Sequence, residues 1–169
     1  MLRVLVAAAT AAGVAQTGSS SAACGVTAVI GRVLDGDTVV AAGVGRVRLL
    51  GIDAPEMGGQ FEQPAPFAIE ARQRLQSLVL RRWVRLECDA VLRDDYGRSL
   101  AYVFLETREF VNAVLVREGL ARVSARTRLR YWDELRHAEE LAQAARCGMW
   151  GERPWVTPRS YTVPADPNL

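Results

Sequence analysis

Three short segments gather the residues best suited to chemistry on an anion: Asp35-Gly36-Asp37-Thr38, Arg48-Leu49-Leu50-Gly51-Ile52-Asp53-Ala54-Pro55-Glu56 and Asp94-Asp95-Tyr96-Gly97-Arg98. Asp37 and Asp53 each stand at the end of an apolar run, where a hard divalent cation takes carboxylate oxygens from both. Waters and a backbone carbonyl then complete a shell suited to calcium or magnesium. Asp37 also reads as a simple turn former, because Asp-Gly-Asp-Thr is good hairpin chemistry without any metal. Arg48 sits between Val47 and Leu49, where a guanidinium is costly unless something anionic meets it. Alternation puts Arg46 and Arg48 on one face, so an ordinary solvent-facing polar face is the other reading. Glu56 follows Pro55, which fixes the chain direction and lets its carboxylate serve as a base for an attacking water. Arg98 follows Gly97 at a strand start, so its guanidinium is aimed.

Taken one at a time, each of these residues has a plain structural explanation. Together they form the set that phosphodiester hydrolysis requires: a cation to neutralise and position the phosphate, a base for water, and cationic donors for a pentavalent transition state. His137 is the only histidine, on a helix among Arg136, Glu139 and Glu140. Hydrolases built on paired histidines, or on histidine clusters around a metal, are therefore excluded.

The elements that must position these groups are short strands and amphipathic helices. Val26 to Leu34 and Thr38 to Ala42 are β-branched runs joined by a tight turn, and Arg46 to Ile52 follows as a third strand after Gly43 to Gly45. Met57 to Pro66, rich in Gly, Gln and Pro, reads as an exposed loop. Phe67, Ala71, Leu75, Leu78 and Val79 recur on one face of a first helix. Trp83 to Cys88 and Ser99 to Leu105 are two more strands. Val111 to Glu118, closed by Gly119, and a longer segment through Leu135, Ala138, Ala142 and Ala145, closed by Gly148, are two more helices. The order βββ, α, ββ, α, α predicts an α+β protein, a five-stranded OB-fold β-barrel with three α-helices. That architecture permits nucleic-acid binding and is silent on cleavage.

The chain has 169 residues, half of them apolar and a quarter charged, which suits one compact domain. Its net charge is only +2, and every side-chain cation apart from the histidine is arginine. Phosphate contact is thus expected to be local rather than spread over a strongly basic surface. Residues 1–23 read as a signal peptide: Arg3 supplies the positive start, Val4 to Ala15 the apolar stretch, and Ser21-Ala22-Ala23 a cleavage site before Cys24, with cleavage after Ala15 as an alternative. The expected location is secreted or periplasmic. Lipoprotein anchoring through Cys24 is the weaker reading, since Ser21 stands where a bulky aliphatic residue is wanted. Cys24, Cys88 and Cys147 allow one bridge at most, and a pairing of Cys24 with Cys88 is left open. The domain is expected over residues 24–153, with a Pro-rich flexible tail over 154–169.

Read in order, the runs Asp-Gly-Asp-Thr, Arg-Leu-Leu-Gly-Ile-Asp-Ala-Pro-Glu, Glu70-Ala71, Asp-Asp-Tyr-Gly-Arg-Ser-Leu-Ala-Tyr-Val, Val111-Asn112, Leu115-Val116-Arg117-Glu118-Gly119-Leu120-Ala121 and Gly148-Met149-Trp150 resemble the staphylococcal nuclease (thermonuclease) family, over roughly Val26 to Trp150. The resemblance implies calcium held by Asp37, Asp53 and the carbonyl of Ala54, phosphate contacts from Arg48 and Arg98, and water activation by Glu56. It implies a monomer, without a stable protein partner, that cuts DNA and RNA, preferably single-stranded, and leaves 3'-phosphates. Two departures bear on substrate binding. Asp95 replaces a lysine before Tyr-Gly-Arg, and Ala125 and Thr127 stand where tyrosines flank the nucleotide. Tyr96 is kept for stacking, and the basic run of Arg122, Arg126, Arg128 and Arg130, Arg126 and Arg128 foremost, is expected to compensate, a solvated loop being its other reading. The alternative function is a non-catalytic OB-fold module that binds nucleic acid or protein. Such domains usually lack part of the carboxylate and arginine set that is complete here.

Overall fold

The computed structural model describes residues 24–59, 62–125 and 128–151. The leader over 1–23, the tail over 154–169 and Arg126 with Thr127 lie outside the described residues. Five strands close a barrel in the order β1 (Val26–Val33), β2 (Thr38–Ala41), β3 (Gly45–Leu49), β6 (Ser99–Leu105) and β5 (Trp83–Glu87). The first strand closes it. Its leading half pairs antiparallel with β5, Val26 opposite Leu86, and its trailing half pairs with β2, Val33 opposite Val39. A register shift between Ile30 and Arg32 bends the strand where it changes partner, the usual work of a bulge at a barrel corner. β3 and β6 run parallel, Arg48 beside Leu100. Together with helices α1 (Ala68–Val79), α2 (Val111–Arg117) and α3 (Trp132–Ala144), this is the expected OB-type α+β fold.

Inside the barrel, alternation decides burial: Val47 and Leu49 are fully buried while Arg46 and Arg48 face outward. α2 is buried from Val111 to Val116 and packs against β6, α1 and α3. Its Asn112 side chain is fully enclosed, accepting the Val103 N–H (3.0 Å) and donating to the Leu50 carbonyl (2.9 Å). One side chain thus ties the helix to β6 and to the end of β3. A buried amide with both partners in place costs little, whereas removing one partner costs about 1–3 kcal/mol.

The third strand is shorter than the expected Arg46 to Ile52. It stops at Leu49, and Gly51 at φ +82° turns the chain into a separate two-residue strand, β4 (Ile52–Asp53). Positive φ is the conformation that glycine adopts at least cost. β4 pairs with β7 (Arg122–Val123), a strand that the hydrophobic pattern does not predict. Ser124 N–H on Gly51 O (2.9 Å) and Glu139, buried on α3 and accepting the Val123 N–H (2.7 Å), fix this pair.

A disulfide joins Cys24 and Cys88 beside the Val26–Leu86 pair, at a sequence separation of 64, and Cys147 is free. Closing a loop of that size stabilises the fold by about 4 kcal/mol on a chain-entropy account.

Candidate active site

The Asp35-Gly36-Asp37 turn joins β1 to β2 and is shaped by crowding. A Cβ on Gly36 would lie 2.6 Å from the Ala54 Cβ and 2.7 Å from the Ala71 Cβ, so only glycine lets the turn pack against both. Asp35 accepts the Asp37 N–H (3.0 Å) and holds the turn closed. The Asp37 carboxylate points inward with 2% of the residue exposed. It accepts the Ala54 N–H (2.8 Å) and the Thr38 hydroxyl (3.1 Å) and is paired with Arg48.

Arg48 is the centre of the cluster. One terminal nitrogen meets Asp37, and the other donates to Asp53 Oδ1 (2.9 Å) and to the Ile52 carbonyl (3.3 Å). Asp53 is gripped a second time by Arg122, through Nε (3.2 Å) and Nη2 (2.9 Å). Asp37 and Asp53 therefore bracket a single cationic group, and Ala54 is bound to one of them through its N–H. Asp53, Ala54, Pro55, Arg122 and Met149 line an open cleft of about 210 Å³.

Burial pushes the Asp37 carboxyl up to about 6, against the pull of the Arg48 cation and the Ala54 N–H. Its folded value is above its ordinary one, so its contribution to stability is fully present below the ordinary carboxylate range and is lost as pH rises through the folded value. Asp94 runs the other way. Desolvation opposes ionisation there, but hydrogen bonds from Arg98 hold its carboxyl below the ordinary value, so its contribution is lost as pH falls. In chelator, the melting temperature of the wild type relative to Asp37→Asn is expected to fall between about pH 4 and pH 7. A flat difference across that range would contradict the burial argument.

Arg98 is held apart from this cluster by its own clamp. Asp94 accepts its Nε (2.6 Å) and its backbone N–H (2.9 Å), along with the Tyr96 N–H (3.1 Å). The β3–β6 register sets Leu100 beside Arg48, and Arg98 stands just before β6, two residues ahead of Leu100. Its guanidinium sits 5.4 Å from the centre of the Tyr96 ring, and Tyr96 is 86% exposed. Glu56 is exposed, and its carboxylate has no hydrogen-bond or ion-pair partner among the described residues. Its carbonyl accepts the Ala65 N–H (2.9 Å), which closes the loop that follows. Arg128 is exposed and paired with the equally exposed Asp133 (2.8 Å).

Thus Asp37, Arg48, Asp53 and Ala54 form one bonded cluster, Glu56 follows it in the chain, and Arg98 leads into the strand beside Arg48. Arg128 makes its contact with α3 instead. Arg122, expected only as one of a basic run, and Asp94, expected only as a turn residue, join the site in roles that the sequence does not signal. Arg122 meets Asp53 only because β4 and β7 pair, and a two-residue strand shows no period to read. Asp94 reads as a turn former, which it is, and nothing local announces its second duty on Arg98.

The arrangement offers two carboxylates and a neighbouring carbonyl to a hard cation, and guanidinium groups to an anion beside it. Among the described residues, no group of three or more His, Cys, Asp and Glu side chains converges on a point. A cation here would depend on the carbonyl and on water for the rest of its shell.

A family model described as staphylococcal nuclease homologue matches residues 46–152. The thermonuclease of Staphylococcus hyicus is 35% identical over 123 residues, covering 70% of this chain and 72% of that protein. Endonuclease YncB of Bacillus subtilis is 33% identical over 142 residues, 80% of this chain and 67% of that protein. A micrococcal nuclease of Shigella flexneri is 34% identical over 144 residues, 73% of this chain and 75% of that protein.

Proposed function

We propose, from the premise that the chain belongs to the staphylococcal nuclease family and is a nuclease, that it is a calcium-dependent endonuclease that hydrolyses DNA and RNA and leaves 3'-phosphates. The observation that carries this reading is the buried Asp37 carboxylate and the Asp53 carboxylate meeting at one guanidinium. Burying an acid in this way disfavours its charged form, and a divalent cation offsets that cost.

The residues present fit such an ion: Asp37 and Asp53 offer carboxylate oxygens and Ala54 its carbonyl, all hard donors. Calcium bound there would supply charge neutralisation at the phosphate and acidify a water molecule. Glu56 takes the proton of the attacking water as the new bond to phosphorus forms. Arg48 and Arg98 donate to the phosphoryl oxygens as negative charge builds in the pentavalent state, the interaction that lowers the barrier most. The bond to the 5'-oxygen breaks with its electron pair on that oxygen, which takes a proton from solvent water, so a 5'-hydroxyl leaves and the phosphate stays on the 3' side. Asp94 orients Arg98 and Arg122 orients Asp53. Tyr96 offers an exposed ring to a base, and Arg126 and Arg128 offer charge to the substrate strand, Arg128 by exchanging its exposed, weak pair with Asp133 for a phosphate.

A substrate presented singly, without pairing, suits a site that lies on an open sheet face. We read the protein as a monomer that works outside the cytoplasm. The Cys24–Cys88 bridge supports that location, since such bonds persist in oxidising compartments. It also argues against a lipid anchor, because the Cys24 sulfur cannot carry a disulfide and a thioether at once.

Incubation of the purified protein with denatured DNA in calcium, in magnesium and in chelator tests the reading. Cleavage in calcium that stops in chelator is expected. Cleavage that ignores chelator would remove the mechanism, and binding without cleavage in any of the three would favour a non-catalytic module.

A further inference from the structure

A second basic surface begins one residue beyond Glu56, at Met57. Between β1 and α1 runs an open groove of about 400 Å³, lined among others by Arg32, Leu34, Met57, Arg72, Gln76 and Arg81. No Asp or Glu is among the described residues that line it. Most arginines near the catalytic cluster are neutralised, Arg48 by Asp37 and Asp53, Arg98 by Asp94, Arg122 by Asp53. Arg32, Arg72 and Arg81 have no ion-pair partner among the described residues, and all three are exposed.

Their placement is built rather than incidental. Arg72 and Gln76 lie one turn apart on α1 and so share a face. Arg81 adopts φ +57°, a conformation that arginine rarely takes. Backbone hydrogen bonds hold it there: Arg81 N–H donates to Ile30 O (2.8 Å), and Ile30 N–H donates to Arg82 O (3.1 Å). That pairing fastens the corner after α1 to the strand that carries Arg32. Like charges collected without a counter-charge repel one another, and a polyanion relieves the repulsion.

The groove is also tied to the site through the chain. Met57 is the residue after Glu56, and Leu34 leads directly into the Asp35-Gly36-Asp37 turn. We infer that the Arg32, Arg72 and Arg81 groove is a phosphate-backbone subsite, which holds the substrate strand to one side of the phosphate being cleaved. The inference rests on the nuclease reading for its occupant. No aromatic ring is among the described residues of the lining, so binding there is to phosphates and is indifferent to base sequence.

The test uses the full protein with Arg32→Gln, Arg72→Gln and Arg81→Asn combined, asparagine being tolerated at positive φ. Binding of a labelled single-stranded 16-mer in calcium is measured over a range of salt in a Glu56→Gln background, so that no cleavage intervenes. Removing three phosphate-binding cations should flatten the slope of log K against log salt by about 2 for a single strand, and weaken binding by roughly ten- to a hundredfold near 0.1 M salt. In the active protein, KM for long denatured DNA rises with kcat unchanged, while cleavage of a dinucleotide is untouched. An unchanged slope and an unchanged KM would overturn the subsite. Should the triple variant lose its cooperative melt, Arg72→Glu alone, at an exposed helix position, must still reduce the slope by about 0.7 or more. Should the parent fail to cleave anything while the slope still falls on substitution, the groove stands and the nuclease reading fails.

Discussion

Replacement of Glu56 by glutamine is expected to lower kcat by about 10²–10⁴, the range a positioned general base contributes, with calcium and substrate binding kept. The side chain is exposed and makes no contact among the described residues that glutamine would break. Its carbonyl, which closes the following loop onto Ala65, belongs to the backbone and survives the change. The melting temperature should therefore stay within the small range usual for surface substitutions. Single-turnover cleavage of an oligonucleotide, read alongside its Kd, checks the claim. Weaker binding at full turnover would mean that Glu56 holds substrate rather than moving a proton.

Arg48→Ala is expected to lower kcat by about 10²–10³, the decrease seen when one donor to a developing oxyanion is removed. It should also destabilise the metal-free protein, which separates it from Arg98→Ala. Arg48 is the cation that faces the Asp37 carboxylate, and both are largely shielded from water, at 18% and 3% side-chain exposure. Stripping the partner from a buried charge costs about 3–5 kcal/mol, and here the effect should grow above about pH 6, where Asp37 ionises. Arg98 pairs instead with the partly exposed Asp94 in a turn. Its removal should lower kcat to a similar degree and lower the melting temperature by clearly less than Arg48→Ala does, since Asp94 is less deeply buried than Asp37. Equal thermal effects of the two substitutions, measured by calorimetry in chelator at about pH 8, two units above the Asp37 value, would show that Arg48 does not neutralise Asp37 in the way described.

The barrel is legible in the sequence because burial in a half-exposed sheet writes itself as alternation: Val47 and Leu49 in, Arg46 and Arg48 out. The helices are legible for the same reason at a different period, as in Ala71, Leu75 and Leu78. What escapes is short or distant. The third strand breaks at Leu50 and Gly51, where Gly51 turns the chain at positive φ and Asn112 captures the Leu50 carbonyl, and the partner remote in the chain is the part that the segment does not announce. β4 and β7 have two residues each, too few for any pattern, yet they bring Arg122 onto Asp53.

The site divides along the same line. Asp37, Arg48 and Asp53 carry a physical signal of their own, since charged residues inside or at the ends of apolar runs need partners, and the partners are one another. Glu56 and Arg98 carry no such signal as single residues. Their expected roles come with the resemblance, and the structure adds that Arg98 leads directly into the strand that runs beside Arg48. Tyr96 keeps its exposed ring, whereas Arg128 satisfies its charge locally with Asp133, a pairing that a run of arginines does not reveal.

Catalysis of the kind proposed requires a divalent ion and a phosphate to share one mouth of the barrel. A crystal structure of the Glu56→Gln protein with calcium and a short single-stranded oligonucleotide is the most direct measurement. It should show the ion between the Asp37 and Asp53 carboxylates with the Ala54 carbonyl in its shell, and a phosphate reached by both Arg48 and Arg98. An ion bound elsewhere, or a phosphate out of reach of either guanidinium, would contradict the mechanism.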